Sequence, residues 1–425
     1  MDYFLYRNGQ LHCEGVSVEE IAGAAGTPLY VYSAQTLRHH YRAIAAAFAE
    51  LKPAICFAIK SLSNIHVLRL LAQEGAGFDV VSGGELFRAH EAGAEMAKVV
   101  YAGVGKTDQE ITAALEAGIG YFNVESEAEF EELSRLAGRA GLPARVALRV
   151  NPDVDPKTHR YTTTGKRESK FGVDLERAEK FFQRFGGDEH ARLDAIHLHI
   201  GSPVFSAQPY VEAITKALEL IERLRRGGFT VNALDIGGGF GADYGLASSP
   251  SAMDYAARIV PLLRNSGLKI ILEPGRQISA NAGILLARVL YIKESGDKQF
   301  VIVDAAMTDL IRPALYEGYH FIWPTRSEMP PQRVAGFSLP DCRKVDVVGG
   351  VCESADFLAK DRMLPPVARG DLLAVYTAGA YGFAMSSQYN SRPRSAEVLV
   401  DGSQWRLIRR RETFDDLLMA ERALE

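Results

Sequence analysis

The sequence predicts an α/β protein: a (β/α)8 TIM-like barrel joined to a mostly antiparallel β-barrel or sandwich domain. Three observations predict it. Short apolar runs alternate with helical-period segments from residue 54 to residue 275. About eight such units fill roughly 220 residues, the size of a barrel. Beyond Pro274 the texture changes to one β-rich segment after another. Continuous apolar strands separated by helices imply a parallel sheet covered on both faces. An open doubly wound sheet shares that pattern, so periodicity alone leaves both topologies standing.

In chain order, the barrel strands read AICFAIK, GFDVVS, KVVYAG, YFNVES, RVALRVN, AIHLHI, ALDIGG and KIILEP. Between them, NIHVLRLLAQEG, ELFRAHEAG, TDQEITAALEAG, EAEFEELSRLAGRAG and YVEAITKALELIERLRRGG place apolar residues at helical spacing, with glycines where helices stop. The later segments GILLARVLYIKES, KQFVIVDAAM, KVDVVGG, GDLLAVYTAG, SAEVLVDG and QWRLIRRR include several that alternate apolar with polar residues. Asp401-Gly402 marks a turn between the last two. FLYRNGQLHCEG near the start resembles a hairpin and could join this β-rich part. The barrel is therefore expected over residues 30–280, inserted between residues 1–29 and 281–425 of one β-rich domain.

Composition narrows the function class. The 425 residues, 47% hydrophobic, are enough for a large core, and a formal net charge of -5 provides no basic stripe for nucleic acid and no polybasic membrane patch. A small molecule is the expected partner. Cys13, Cys56, Cys342 and Cys352 are scattered without metal-ligand spacing, so neither a disulfide framework nor a metal site is expected. MDYFLYRNGQ lacks the pattern of an export signal, and no stretch approaches the ~20 apolar residues of a membrane span. A soluble, cytoplasmic protein is the expectation.

In a barrel of this kind, chemistry sits at the C-terminal ends of the strands. The residues closing the apolar runs are Lys60, Asp79, Glu125, Asn151, His199, the DIGGGFG loop and EPGR. That set is too polar to be barrel filling. Lys60 ends a run that reads as buried, where an ammonium must be solvated, paired or used as a nucleophile. The glycines of residues 237–241 can present backbone N–H groups to a phosphate but lack dinucleotide or P-loop spacing, so alone they also suit a tight turn. Glu273 and Arg276 alone could be a surface ion pair, and His199 a histidine satisfied within a polar cluster. Together, an amine, phosphate donors, a flat imidazole and a carboxylate match the needs of pyridoxal phosphate.

The motifs FAIKS, FDVVSGGEL, NPDVDPKTHRYTTTGKRESKFGV, HLHIGS, DIGGGFG, EPGR, MTDLIRPALYEGYH, VVGGVCESADFLAKD and GAYGFAMSSQYNSRPR occur in this order over nearly the whole chain. In them the chain resembles the barrel-type pyridoxal-phosphate amino-acid decarboxylases, most closely those that act on diaminopimelate. The resemblance implies that Lys60 bonds the cofactor, Asp79 supports it, His199 stacks on the ring and Glu273 faces the pyridine nitrogen. It places Ser202, Gly238, Gly239, Gly275 and Arg276 around the phosphate, with Tyr381 reaching cofactor or substrate. Cys352 is implied to enter a neighbouring subunit's site and donate the proton that replaces the lost carboxylate, which makes a homodimer with a composite site.

Substrate choice then turns on Arg312, Tyr316 and Glu353. Arg276 and Arg312 can bind a distal carboxylate and Glu353 a distal ammonium, which favours meso-diaminopimelate, with L-lysine as product. The resemblance also implies that the carboxylate is lost from the D-configured centre. Pro203 after HIGS and Ala355 after CES depart from the frequent glutamine and glycine, and could tune affinity. A decarboxylase of another diamino acid, such as carboxynorspermidine, and a non-catalytic regulatory homologue are the alternatives.

Overall fold

Eight parallel strands close into a barrel in the computed structural model, which describes residues 2–155, 170–246, 248–422 and 424. They are β1 (Ala54–Ala58), β2 (Gly77–Val80), β3 (Val99–Tyr101), β4 (Tyr121–Val124), β5 (Ala144–Asn151), β6 (Ala191–Leu198), β7 (Ala233–Asp235) and β8 (Lys269–Leu272). Each pairs with the next, and β8 returns to β1 through Ile271–Ala54 and Leu272–Ile55. Closure decides between the two topologies that periodicity left open. These are the eight runs read from the sequence.

The intervening helices form where the sequence supplies both ends. Ser82, Thr107, Ser126 and Ser251 each accept a hydrogen bond from the backbone three residues on, at Glu85, Glu110, Glu129 and Asp254. Gly118 and Gly141 close two of these helices in the left-handed conformation that favours glycine.

Alternation along the strands sets what fills the barrel. Cys56, Val100, Tyr121, Ala147, Ala195, Ala233 and Ile271 form a buried apolar cluster. Two residues further along their strands, on the same face, stand Asn123, Arg149, His197 and Asp235, and Glu273 follows Ile271 in the same way. All five are buried, as is Asp79 on β2. A polar layer thus lies directly above an apolar one, and the next step outward reaches the rim.

Packing separates the chain into two units: His40–Gly241 with Ser249–Gln277, and Met1–His39 with Ala242–Ser248 and Ile278–Glu425. The first holds the barrel. The second is built on the long strand Gly283–Ser295, which pairs antiparallel with Leu29–Ser33, Leu372–Val375 and Lys298–Val303. Ala396–Asp401 and Gln404–Arg409 form the hairpin at Asp401-Gly402, and Phe4–Arg7 with Gln10–Cys13 forms another. Among the described residues the pairing in this unit is mostly antiparallel, with two exceptions. Lys298–Val303 runs parallel to Arg343–Val348, and Leu29–Ser33 parallel to Ala396–Asp401. No helix among the described residues is long and apolar enough to cross a membrane.

Candidate active site

Lys60 lies in a one-turn helix, Ile59–Ser61, immediately after β1. That turn is anchored on both sides: the Ala58 amide donates to Pro274 O at 3.1 Å, and Ser61 Oγ donates to Ala58 O at 2.8 Å. The Lys60 ammonium donates to Asp79 Oδ2 and forms an ion pair with it. The lysine side chain is 34% exposed and that of Asp79 not at all, so the amine sits at a boundary with its carboxylate beneath it. Burial, with the charge of Glu273, pushes the Asp79 carboxyl up to about 6, against the opposing pull of Lys60. Glu85 lies close by, its Oε2 accepting from the Val81 amide at 2.9 Å, and burial pushes it up to about 7.

The EPGR carboxylate is not part of a surface pair, because both Glu273 and Arg276 are buried. Glu273 Oε1 accepts from Asn123 Nδ2 at 3.2 Å, and Oε2 meets His197 Nε2 at 3.3 Å. Burial alone would raise its pKa, but the charge and hydrogen bond of His197, with Lys60 behind them, hold it below the usual carboxylate range. Asp235 goes the other way: burial and the Glu273 charge push its carboxyl well up. Two neighbouring carboxyls in the barrel interior are therefore pushed in opposite directions.

His199 stands one alternation step beyond His197. Burial and then the positive charge of Arg149 hold its pKa down to about 3, so its ring is neutral at pH 7. Its Nδ1 accepts from the Gly238 amide at 3.4 Å, leaving the proton on Nε2. Arg149 itself donates to Glu125 Oε1 at 3.0 Å. Glu125 Oε2 accepts from the Gly172 amide at 3.0 Å, while residues 156–169 of the long motif that begins at Asn151 lie outside the described residues.

The glycine loop is pressed onto the strand ends. A Cβ at Gly237 would come within 2.3 Å of Leu198 O, one at Gly238 within 2.1 Å of Glu273 O, and one at Gly239 within 2.2 Å of Gly201 O. Only glycine allows that approach. Arg276 Nε donates to Ser202 Oγ at 3.3 Å, which brings together two of the residues expected at a phosphate. A Cβ at Gly275 would stand 3.0 Å from both Ala58 Cβ and Ser61 Oγ, against the Lys60 turn.

The remaining predicted residues belong to the second unit. Arg312 is buried, donates from Nη1 to His320 Nε2 at 2.7 Å and lies 4.5 Å from the centre of the Tyr244 ring. Tyr316 is half-buried, one turn on in the short helix Arg312–Tyr316. Tyr381, at φ +55°, adopts the left-handed conformation that is costly for a bulky residue, and packs on Ala242, Tyr244, Ala280 and Ala380. Cys352 and Glu353 are exposed. The Cys352 amide donates to Asn390 Oδ1 at 3.2 Å, and Glu353 Oε1 accepts from the Tyr389 hydroxyl at 2.5 Å.

These residues fit pyridoxal phosphate. The amine has a buried carboxylate partner, an anion is held deep in the barrel, His199 offers a neutral ring, and Arg276 bonds Ser202 beside a bare glycine loop. Buried atoms Asp79 Oδ1, Asn123 Oδ1, His197 Nδ1 and Asp235 Oδ2 have no hydrogen-bond partner among the described residues, as expected of a polar site built for a ligand. Sequence reasoning missed Asn123, His197, Asp235 and Glu85. The first three could have been found by stepping two residues inward from Glu125, His199 and Gly237.

The comparisons with known proteins agree with this geometry. Residues 34–280 match the family model described as pyridoxal-dependent decarboxylase, pyridoxal binding domain. A diaminopimelate decarboxylase of Aquifex aeolicus is 48% identical over 97% of this chain and 96% of its own length. One of Pseudomonas aeruginosa is 48% identical over 100% of both. The crystal structure of diaminopimelate decarboxylase from Helicobacter pylori, complexed with L-lysine, superposes with a TM-score of 0.90 at 38% identity, covering 96% of this chain and 100% of that one. The amine with its buried carboxylate and the glycine loop thus sit in a chain that belongs to the pyridoxal-dependent decarboxylases, in the diaminopimelate decarboxylase family.

Proposed function

We propose that this chain decarboxylates meso-2,6-diaminopimelate to L-lysine and carbon dioxide, the final step in making lysine. The observation that carries the reading is the pairing of Lys60 with buried Asp79 across from an ionised Glu273, in a chain related end to end to diaminopimelate decarboxylases. Pyridoxal phosphate, when bound, supplies an aldehyde for amines and a ring that takes up the electron pair left as carbon dioxide departs.

The chain's own residues do the rest. Lys60 would hold the cofactor through its amine, and Asp79, which accepts from that amine, would keep it in place and receive its proton donors when it is free. Glu273 keeps a proton on the pyridine nitrogen, so that the ring can accept electrons. His199, neutral and flat, stacks on that ring without adding a competing charge. Ser202, Gly238, Gly239, Gly275 and Arg276 surround the phosphate, and Tyr381 reaches cofactor or substrate. Arg276 and Arg312 bind the distal carboxylate, Tyr316 lines the same pocket, and Glu353 takes the distal ammonium. Cys352 donates the proton that replaces the carboxylate. Its exposure suits a role in the site of a second copy of the chain, so we infer a homodimer. The free cysteines suit a reducing compartment and support the reading that the reaction is cytoplasmic.

The test is incubation of the purified protein with meso-diaminopimelate, with and without pyridoxal phosphate. Lysine and carbon dioxide are expected in equal amounts, dependent on the cofactor. Turnover of carboxynorspermidine without lysine formation from diaminopimelate would overturn the substrate assignment.

A further inference from the structure

His197 has no part in the reaction described above, yet it is buried at the barrel centre and touches the one carboxylate whose ionisation that reaction requires. Glu273 has two oxygens, and each meets a side chain from another strand: Asn123 of β4 at 3.2 Å and His197 of β6 at 3.3 Å. Asp235 of β7 closes the group. Its Oδ1 accepts from the Gly237 amide at 2.8 Å, and one side-chain atom from each of His197, Asp235 and Glu273 lies within 4.8 Å of the others. A carboxylate so enclosed cannot rotate without breaking bonds to two strands.

We propose that His197 is the positioning residue for Glu273: donating from Nε2, it fixes the carboxylate's rotation and holds its negative charge toward the cofactor's ring nitrogen. The proposal rests on the assignment of Glu273 to that nitrogen. The alternative source of the charge is the general field of the site, to which Lys60, His199, Asp79, Asp235 and Cys56 all contribute at Glu273, with Arg149 next to His199. Lys60 and Asp79 form a pair, and the remaining acids oppose an anion at Glu273. Direct donation from His197 is the specific interaction that favours it. The low pKa direction of Glu273 and the high one of Asp235 agree with this division of charge. Asp235, its carboxyl pushed up by burial and the Glu273 charge, ties the cluster to the glycine loop through Gly237.

The experiment compares His197→Phe, His197→Gln and Glu273→Gln with the parent enzyme, all loaded with pyridoxal phosphate. Two readouts are taken: the pH titration of the cofactor's visible absorption, and kcat apart from KM. His197→Phe is expected to shift the spectral titration and lower kcat by about 10- to 100-fold, the scale of one hydrogen bond to a charged group, with KM within about twofold. His197→Gln, which keeps a donor, should recover part of both. A parent-like titration and kcat in His197→Phe, while Glu273→Gln loses both, would overturn the role of His197 alone. Parent-like behaviour in Glu273→Gln would instead overturn the reading of Glu273. Should His197→Phe fail to fold, the imidazole nitrogen shifts of His197, measured by NMR in the cofactor-free parent and in Glu273→Gln, decide the matter. A change on removing the charge is expected, and identical shifts would refute the coupling.

Discussion

In the barrel, Asp79, His197 and Glu273 are buried and His199 half-buried, all held at or just beyond the ends of strands and bonded to residues of neighbouring strands or the loops that follow them. In the other unit, Cys352 and Glu353 lie exposed on a loop whose order comes from below it. Asp356 is buried there and accepts from the Val351 amide at 2.6 Å and the Met307 amide at 2.7 Å. The first region is preorganised by the closed sheet, so its charges are set before any ligand arrives. The second has a fixed backbone but solvated side chains, and a thiol of that kind gains chemical purpose only when something covers it. Substitutions in the barrel should therefore act on cofactor and chemistry within one chain. Those in the exposed loop should act on a step that needs a second chain.

The largest effect expected is that of Lys60→Ala, which removes the amine proposed to bond the cofactor. Lysine formation should fall by at least about a thousandfold. Near-parental turnover would break the barrel side of the comparison. Cys352→Ala should slow catalysis by about a hundredfold, the scale of a lost proton donor, while cofactor occupancy stays intact. Mixing the Lys60→Ala and Cys352→Ala chains should restore part of the activity, since a composite site could then pair an intact amine with an intact thiol. If mixing restores nothing under conditions where subunits exchange, the loop does not serve a second copy.

Arg312→Ala sharpens the contrast differently, because Arg312 is buried like a barrel residue but belongs to the second unit. Loss of a charge-assisted contact worth about 1.5–3 kcal/mol should raise KM for diaminopimelate by about 10- to 100-fold and leave kcat little changed. A steady-state profile altered only in kcat would contradict its role in binding.

The smallest effect is on stability. The folded chain keeps His199 neutral down to about pH 3, whereas an unfolded histidine takes up a proton near its ordinary value of 6.5. As the pH falls below about 6.5 the unfolded state gains a proton that the folded state refuses, so stability drops by up to about 1.4 kcal/mol per pH unit. Asp79, raised to about 6, works in the opposite direction between pH 4 and 6 and offsets part of the slope. The denaturant midpoint of the cofactor-free protein at pH 5, taken relative to that at pH 7, should therefore be higher in His199→Asn than in the parent. An unchanged difference would show that His199 is not the neutral histidine described here.

How far the sequence discloses this follows the same division. The barrel is legible because β/α alternation is local, and its rim residues are legible because they end apolar runs. His197, Asn123 and Asp235 escape that reading since each sits inside a run, in HLHI, YFNV and ALDI, where a single polar residue among apolar ones looks like filler. Alternation supplies the missing signal: a polar residue two places before a polar or glycine rim residue faces the same interior. In the second unit, the parallel pairing of Leu29–Ser33 with Ala396–Asp401 joins segments far apart in the chain, which no local pattern encodes. The roles of Cys352 and Glu353 came through family resemblance, because exposure and solvation leave no physical trace of a partner in the sequence.

The covalent anchor at Lys60 is the claim on which the other assignments depend. Its most direct test is borohydride reduction of the cofactor-loaded protein, followed by peptide mass spectrometry. The account predicts a pyridoxyl-phosphate mass added to the peptide containing CFAIKS, on Lys60. A label on another lysine, or none on a protein that has bound the cofactor, would contradict it.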